Sequence, residues 1–145
     1  MLAASKKVIG LHGSSTTNAA TATGAVDTLD FNHSVIDIVL ATSSAVTTKP
    51  TVLKLQESAT TDATNYSDLS GAVGGTDFTI PAAKTQGESV VTFSVSKAKK
   101  PHKRYLRAVV SPATTQIISV VANLFRGDAT PANAAGMGVE ALVNV

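Results

Sequence analysis

The chain has no cysteine and no tryptophan, and only 15% of its 145 residues are charged. The absence of cysteine excludes disulfide frameworks, thiol catalysis, thiolate zinc sites and iron–sulfur clusters. Aromatic residues make up 4% of the chain, which is poor for stacking on sugars or single-stranded nucleic acid. No apolar run is long enough to cross a bilayer, and residues 1–13 do not read as a signal peptide. We therefore expect no membrane contact and synthesis in the cytoplasm.

The residues that are present favour sheet and loop over helix. Roughly half of the chain is Ala, Val, Thr or Ser. With 145 residues, 43% of them hydrophobic, the chain can form one domain with its own core. We predict a single domain, in which residues 1–30 form an N-terminal strand or arm and a loop, and residues 31–145 form the main β-sandwich.

Apolar residues recur at every second position in several short segments. Segments 35–40, 91–95 and 105–111 each place aliphatic or aromatic residues on one face of a strand. Segment 116–126 is apolar on both faces, so we expect a central strand that is covered on both sides. The pattern predicts an all-β fold of about seven to nine short strands, an antiparallel β-sandwich or jelly roll with little helix.

The sequence also predicts the structure of three further segments. Residues 111–115 are expected to be a hairpin connection between two strands, and one helical turn is expected after Pro131. The chain ends on Leu142, Val143 and Val145. Such an apolar end is usually a strand within a sheet, and the alternative is an arm on a neighbouring subunit.

No motif with catalytic, cofactor-binding or metal-binding spacing is found. The three histidines are not spaced for zinc, and no nucleophile elbow or phosphate-binding glycine loop is present. Asp62 and Asp68 with Asn65 between them are oxygen ligands suited to calcium, but an ordinary turn is the favoured interpretation. We predict no enzymatic activity, no cofactor and no metal.

The densest charge lies between residues 97 and 107. Six of the twelve Lys and Arg residues fall there with no acidic residue among them, and His102 lies beside them. One interpretation is a contact surface for an acidic protein, and a less favoured one is nucleic acid. The alternative is a solvated hairpin tip next to lysines that protect a sheet edge. The predicted partner-binding residues are Lys97, Lys99, Lys100, Lys103, Arg104 and Arg107.

Three segments resemble small structural proteins of tailed bacteriophages. The run TVLKLQESATTDATNYSDLSGA is similar to a strand in those proteins that leads into an Asp-rich turn and an aromatic-x-Asp-hydrophobic strand. In this chain Leu53 and Leu55 begin the pattern, Asp62 lies in the turn, and Tyr66 and Asp68 belong to the second strand. The later run KRYLRAVVSPATTQIISVVANLFR is similar to a strand pair in the same proteins, and GVEALVNV resembles their closing segment.

The resemblance implies a virion protein of the capsid cement or decoration type. Such proteins are rich in β-structure, often trimeric, bind the major capsid protein on the outer shell, and have no catalytic residues. We therefore expect a homo-oligomer, with a trimer favoured, on the capsid exterior after synthesis in the bacterial cytoplasm. The alternatives are another virion component of the tail, neck or minor head, or a carbohydrate-binding β-sandwich used in host recognition. Nucleic acid is an unlikely partner.

Overall fold

Strands make up most of the regular structure. The computed structural model describes residues 5–16, 20–41, 49–82, 84, 88–127 and 139–145, with residues 12–16 described by their backbone alone. A 3-10 turn at Ala63–Asn65 is the helical structure in these ranges. The strands there are β1 (Ser5–Thr16), β2 (Thr21–Ala22), β3 (Val26–Asp27), β4 (His33–Leu40), β5 (Val52–Ser58), β6 (Ser67–Val73), β7 (Ser89–Ser96), β8 (Tyr105–Ser111), β9 (Gln116–Phe125) and β10 (Ala141–Asn144).

Two sheets face each other, and this confirms the predicted all-β sandwich. The first sheet has the strand order β1-β9-β4-β7-β10, and the second has the order β2-β8-β5-β6. The short strand β3 also pairs with β8, next to β2 along the chain. Strand β10 runs parallel to β7, while the other strand pairs are antiparallel. The C-terminal segment is therefore a strand of the first sheet.

The core lies between the sheets and is built from the residues that alternate inward along each strand. Ile36 and Ile38 on β4 face Leu53 and Leu55 on β5, and all four are at most 1% exposed. Phe93 on β7 is fully buried and meets the edge of Phe78, with ring centroids 5.5 Å apart. Each such aliphatic side chain contributes about 1.5–3 kcal/mol through burial, so the alternation seen in the sequence stabilises the sandwich.

The prediction of a hairpin at residues 111–115 is wrong. Strand β8 belongs to the second sheet and β9 to the first, so the connection between them crosses from one sheet to the other. Both strands bury alternate residues in the same core, but from opposite sides. A period of two shows which residues face the core, but it does not show which sheet a strand joins.

The prediction that both faces of segment 116–126 are covered is also wrong. Strand β9 buries Ile118, Val120, Ala122 and Leu124, while Ile117 is 53% exposed and Phe125 is 37% exposed. The strand is flanked by β1 and β4 within its sheet, and in the described part of the chain no further layer buries these two side chains. Ile117 and Phe125 are therefore outward apolar residues that remain exposed, while Ser119 and Asn123 between them are polar.

The N-terminal residues join both sheets. Strand β1 pairs with the whole length of β9, from Ser5 opposite Phe125 to Thr16 opposite Gln116. The chain then passes to β2 and β3 in the second sheet, and Gly24 N donates to Gly10 O at 3.0 Å, which links the two sheet edges. Residues 5–27 are thus built into the sandwich on one side.

Strands β6 and β10 lie together on the opposite side of the sandwich. Gly71 on β6 has a φ of 90°, and a Cβ there would lie 3.2 Å from Val145 Cγ1, so both backbone and space favour glycine. Phe78 forms one isolated bridge to Gly74. The helical turn expected after Pro131 lies outside the described residues.

Candidate partner-binding surface

The basic segment is the connection from β7 in the first sheet to β8 in the second. Its backbone is fixed where it leaves β7, since Lys97 N donates to Asn32 O at 2.9 Å and Lys100 N donates to Ser96 O at 2.9 Å. The segment therefore crosses one end of the sandwich. The alternative prediction, a solvated hairpin tip, is wrong.

Two of the lysines hold this crossover against the strands beside it. Lys97 Nζ donates to Thr28 O at 2.8 Å, just after β3. Lys100 Nζ donates to Ser70 O on the outer edge of β6. Both ammonium groups bind backbone carbonyls of the same chain, so their first role is to join the crossover to the second sheet.

Lys103 and His102 lie where the crossover reaches β8. Lys103 N donates to Glu57 Oε2 at 2.8 Å, and Lys103 Nζ lies 3.2 Å from Ser67 Oγ. His102 Nδ1 lies 2.7 Å from Lys103 O. Partial burial lowers the pKa of His102 by more than the hydrogen bond with Lys103 O raises it, so this imidazole adds little charge to the surface near neutral pH.

Arg104 forms a two-pronged ion pair with Asp27 on β3. Its Nε donates to Oδ1 at 2.9 Å and its Nη2 donates to Oδ2 at 2.7 Å. The hydrogen bonds from Arg104 lower the pKa of Asp27 to about 2, with a smaller effect from the Leu29 backbone N–H. The carboxylate in turn raises the pKa of Arg104. This pair joins β3 to the start of β8, and both side chains remain partly exposed.

Arg107 points to the outer face of the second sheet, away from the crossover. Its guanidinium lies 3.9 Å from the ring centroid of Tyr66, and its Nε donates to Gln56 Oε1 at 2.9 Å. Gln56 Nε2 donates to Asp68 Oδ1 at 2.8 Å, and Lys54 Nζ donates to Asp68 Oδ2 at 2.9 Å. We call these five residues, Lys54, Gln56, Tyr66, Asp68 and Arg107, the polar ladder.

The polar ladder changes the titration of its members. Hydrogen bonds from Lys54 and then from Gln56 lower the pKa of Asp68. Burial raises the pKa of Tyr66, an effect that the Arg107 charge opposes. Each charged group of the ladder therefore has its partner within the same chain, which limits what it can offer to another protein.

The structure brings five of the six predicted residues together and separates the sixth. Lys97, Lys99, Lys100, Lys103 and Arg104 share the crossover end, and Arg107 belongs to the polar ladder. Among the described residues, the carboxylates hydrogen-bonded to these five residues are Asp27 and Glu57, so this end has an excess of three positive charges over those two carboxylates. Lys99, Lys103 and Arg104 are exposed there, and Arg104 is bound to Asp27.

The calcium alternative is not favoured by the geometry. Asp62 Oδ1 accepts from Thr64 N at 3.0 Å and from Thr64 Oγ1 at 2.9 Å, which caps the short 3-10 turn. Asp68 points into the polar ladder instead. In the described part of the chain, no group of three or more metal-ligating side chains is assembled.

An open cleft of about 680 Å³ lies between residues 49–51 and 74–80. The Asp77 carboxylate beside it accepts from Gly71 N at 2.8 Å and from Val73 N at 2.9 Å. A Cβ at Gly74 would lie 2.5 Å from Ile80 Cγ1, so the close packing of this loop requires glycine. Asp77 therefore fixes the loop, and the cleft shows no assembled reactive group.

Sequence reasoning missed a second surface, the outer face of the first sheet. It is formed by the exposed Ile9 on β1 and Ile117 and Phe125 on β9, with the half-buried Val35 and Val39 on β4 and Val121 on β9, and we call it the apolar face. Ile9 is 61% exposed. Towards β7 the same side of the sheet is buried, since His33 and Thr92 are at most 1% exposed. The sequence signal for this face is the apolar Ile117, Val121 and Phe125, which also fit a strand covered on both sides.

Comparisons of this chain with protein-family models, with curated proteins and with solved structures find no match. Within the described ranges, no helix is long and apolar enough to cross a membrane.

Proposed function

We propose that this chain is a structural virion protein of a tailed bacteriophage that binds the outer capsid shell and stabilises it, as a cement or decoration protein. Its partner is the major capsid protein, its place is the capsid exterior, and it is made in the bacterial cytoplasm. The proposal needs no catalytic residue and no cofactor. It rests first on the resemblance of residues 51–72 to small structural proteins of tailed phages. The strand pair that the resemblance implied for residues 103–126 is not formed, because β8 and β9 lie in different sheets.

One structural observation bears on the first resembling segment. The first resembling segment is a single unit, the β5–β6 hairpin, with Gln56 opposite Asp68 and Glu57 opposite Ser67. Asp62 caps the 3-10 turn between the strands, and Asp68 binds Lys54 and Gln56 on β5. The residues that define the resemblance are therefore the ones that hold this hairpin together, as expected of a pattern that belongs to a fold.

The mechanism is stabilisation by preferential binding. A protein that binds the assembled shell, but not its separated subunits, shifts the equilibrium towards the shell by mass action. A homo-oligomer, with a trimer favoured, strengthens this effect because each further contact forms within one complex. The capsid contact therefore does not need high affinity in any one copy.

The crossover end of the sandwich is the proposed contact with the shell. Its excess of three positive charges suits an acidic capsid exterior. Lys99 and Lys103 are the cations to test, since their side chains are exposed. Lys97, Lys100, Arg104 and Arg107 are less suitable, because they also support the fold. Lys103 Nζ has a single longer contact of 3.2 Å, to the exposed Ser67 Oγ.

The test is binding to empty shells of the major capsid protein of the same virus, measured by co-sedimentation over a range of salt concentrations. We expect the K99E/K103E variant to bind roughly tenfold more weakly, about 0.7 kcal/mol for each charge, with a flatter salt dependence. The control is Lys49→Glu, which reverses an exposed lysine away from the crossover. Equal binding by both variants at all salt concentrations rejects this contact.

Copy number tests the function itself. Quantitative mass spectrometry of purified particles should find the chain in a simple ratio to the major capsid protein, with hundreds of copies for each particle. A few copies would indicate a tail, neck or minor head protein. Absence from the particle would reject the virion role, and glycan binding would then favour the carbohydrate-binding alternative.

A further inference from the structure

The apolar face contains most of the exposed large apolar side chains in the described part of the chain. Ile9, Ile117 and Phe125 lie on the neighbouring strands β1 and β9, and each is at least 37% exposed. The fourth such residue, Leu29, is 51% exposed and lies in the turn after β3. Contiguous apolar surface on a soluble domain marks a contact site more often than scattered residues do.

The strand register places two charges within this apolar surface. Ile9, Val121 and Asp37 form one row across β1, β9 and β4. Lys7, Asn123 and Val35 form the next row. The face thus carries one cation and one carboxylate among aliphatic side chains.

Neither charge has an ionic partner in the described residues. Asp37 Oδ1 accepts a hydrogen bond of 2.6 Å from Thr92 Oγ1 and makes no ion pair there. Lys7 makes no ion pair in the same part of the chain. The two residues are two strands and one row apart, a Cα separation of about 12 Å from strand spacing and rise. They therefore do not pair within one copy of the chain.

We infer that the apolar face is the surface through which copies of this chain associate, with Lys7 of one copy bound to Asp37 of the next. Charge complementarity favours a second copy as the occupant. A face with one charge of each sign is not suited to a strongly acidic or basic partner, whereas a copy of itself supplies both complementary charges. Contact between the apolar side chains then removes Ile9, Ile117 and Phe125 from water.

The size of the face sets how strong this association is. Three strands over the nine residues from Ile117 to Phe125 cover on the order of 450 Å² per copy at most. That is less than the roughly 800 Å² per partner of a standard interface. We therefore expect association that depends on protein concentration. The Lys7–Asp37 contact closes in a two-fold or a three-fold arrangement, so the measured mass identifies the symmetry.

This inference deepens the homo-oligomer part of the proposed function, and its test is separate from the shell. The intact chain is studied alone by sedimentation equilibrium over a wide concentration range. A self-associating chain that does not bind shells would reject the capsid role alone. A monomer that binds shells would reject only the association inferred here.

The first pair of variants tests the apolar contact. Ile9→Asp places a charge on the face, and we expect a loss of association of at least tenfold. Leu29→Asp is the matched control, an exposed apolar residue outside the face, and it should associate like the unchanged chain. Circular dichroism establishes that both variants are folded. A chain that stays monomeric up to roughly 1 mM, or an Ile9→Asp variant that associates normally, would overturn the inference.

The second set of variants tests the ion pair. Lys7→Asp and Asp37→Lys should each weaken association, because each puts like charges opposite one another. The double variant K7D/D37K should restore it, and Lys49→Asp should have no effect. Restoration distinguishes a contact between copies from a general effect of charge on folding. Failure of the double variant to recover association would reject the proposed pairing.

Discussion

The outer faces of the two sheets use charge in different ways. On the second sheet, the polar ladder joins Lys54, Asp68 and Arg107 through hydrogen bonds within the chain. On the first sheet, Ile9, Ile117 and Phe125 are exposed, and the charges near them have no ionic partner in the described residues. The face with more charge is therefore internally satisfied, while the face with less charge is open to a partner.

This difference changes how a cluster of cations in a sequence should be interpreted. At least five of the six predicted cations donate from their side chains to groups of the same chain, among them the Asp27 carboxylate and the carbonyls of Thr28 and Ser70. A side chain that already has a partner must give it up, or share it, before it binds another protein. The density of positive charge in a sequence is thus a weaker indicator of a contact surface than the positive charge that has no partner within the folded chain.

The largest predicted effect is a difference in folding stability between a variant on the outer face of the second sheet and a variant on the apolar face. Arg107→Ala removes the hydrogen bond to Gln56 and the contact with the Tyr66 ring. We expect a loss of about 2 kcal/mol in the free energy of unfolding, measured by urea denaturation. On the apolar face, Ile117→Ala should change that free energy by no more than about 0.5 kcal/mol.

Both variants should be compared at low protein concentration, so that association does not add to the measured stability. If Ile117→Ala were as destabilising as Arg107→Ala, Ile117 would be part of the folded core rather than of an open face. If Arg107→Ala had no effect, the polar ladder would not support the fold, and Arg107 would return to the list of available cations.

Alternation along the strands was enough to predict the core. The inward positions of β4, β7 and β8 can be recognised because polar residues separate them, as Asp37 separates Ile36 from Ile38. The all-β sandwich follows from many such strands and their short connections. Strand partners could not be predicted, because a period of two is the same in both sheets. This is why the 111–115 connection was mistaken for a hairpin.

The candidate surfaces were harder to predict than the fold. The sequence identified the cations at 97–107, but their partners Asp27, Thr28 and Ser70 are distant along the chain and adjacent only after folding. The apolar face could not be predicted for a different reason. A strand that is apolar on both sides has the same sequence whether its second face is covered by another layer of the fold or is open to a partner.

The second effect should show that the polar ladder depends on charge. Asp68→Asn removes the negative charge that accepts from Lys54 and Gln56, and the partly exposed position limits the loss to about 1 kcal/mol at low salt. High salt should reduce the difference from the unchanged chain, since ions screen exposed pairs. Glu88→Gln, at an exposed carboxylate with no contact in the described part, is the control. A difference that does not respond to salt would mean that hydrogen-bond geometry, not charge, holds the ladder.

The third and smallest effect concerns the joint between β3 and the basic crossover. The pKa of Asp27 is lowered to about 2 in the folded protein because Arg104 binds its carboxylate. A carboxyl group with a lowered pKa contributes stability above its ordinary value near 3.8, and that contribution is lost as the pH falls through the folded value.

Between pH 4 and pH 2, the midpoint temperature of unfolding should therefore fall more steeply in the unchanged chain than in the Asp27→Asn variant. Above pH 5 the unchanged chain should be the more stable of the two, by a few degrees at most, because both members of the pair are partly exposed. Calorimetric scans over this pH range measure both quantities. Parallel curves would mean that Arg104 gains nothing from Asp27 in the folded state. Arg104 would then be a cation available to a partner. The basic crossover would have one fewer charge that is satisfied within the chain, and it would differ less from the apolar face.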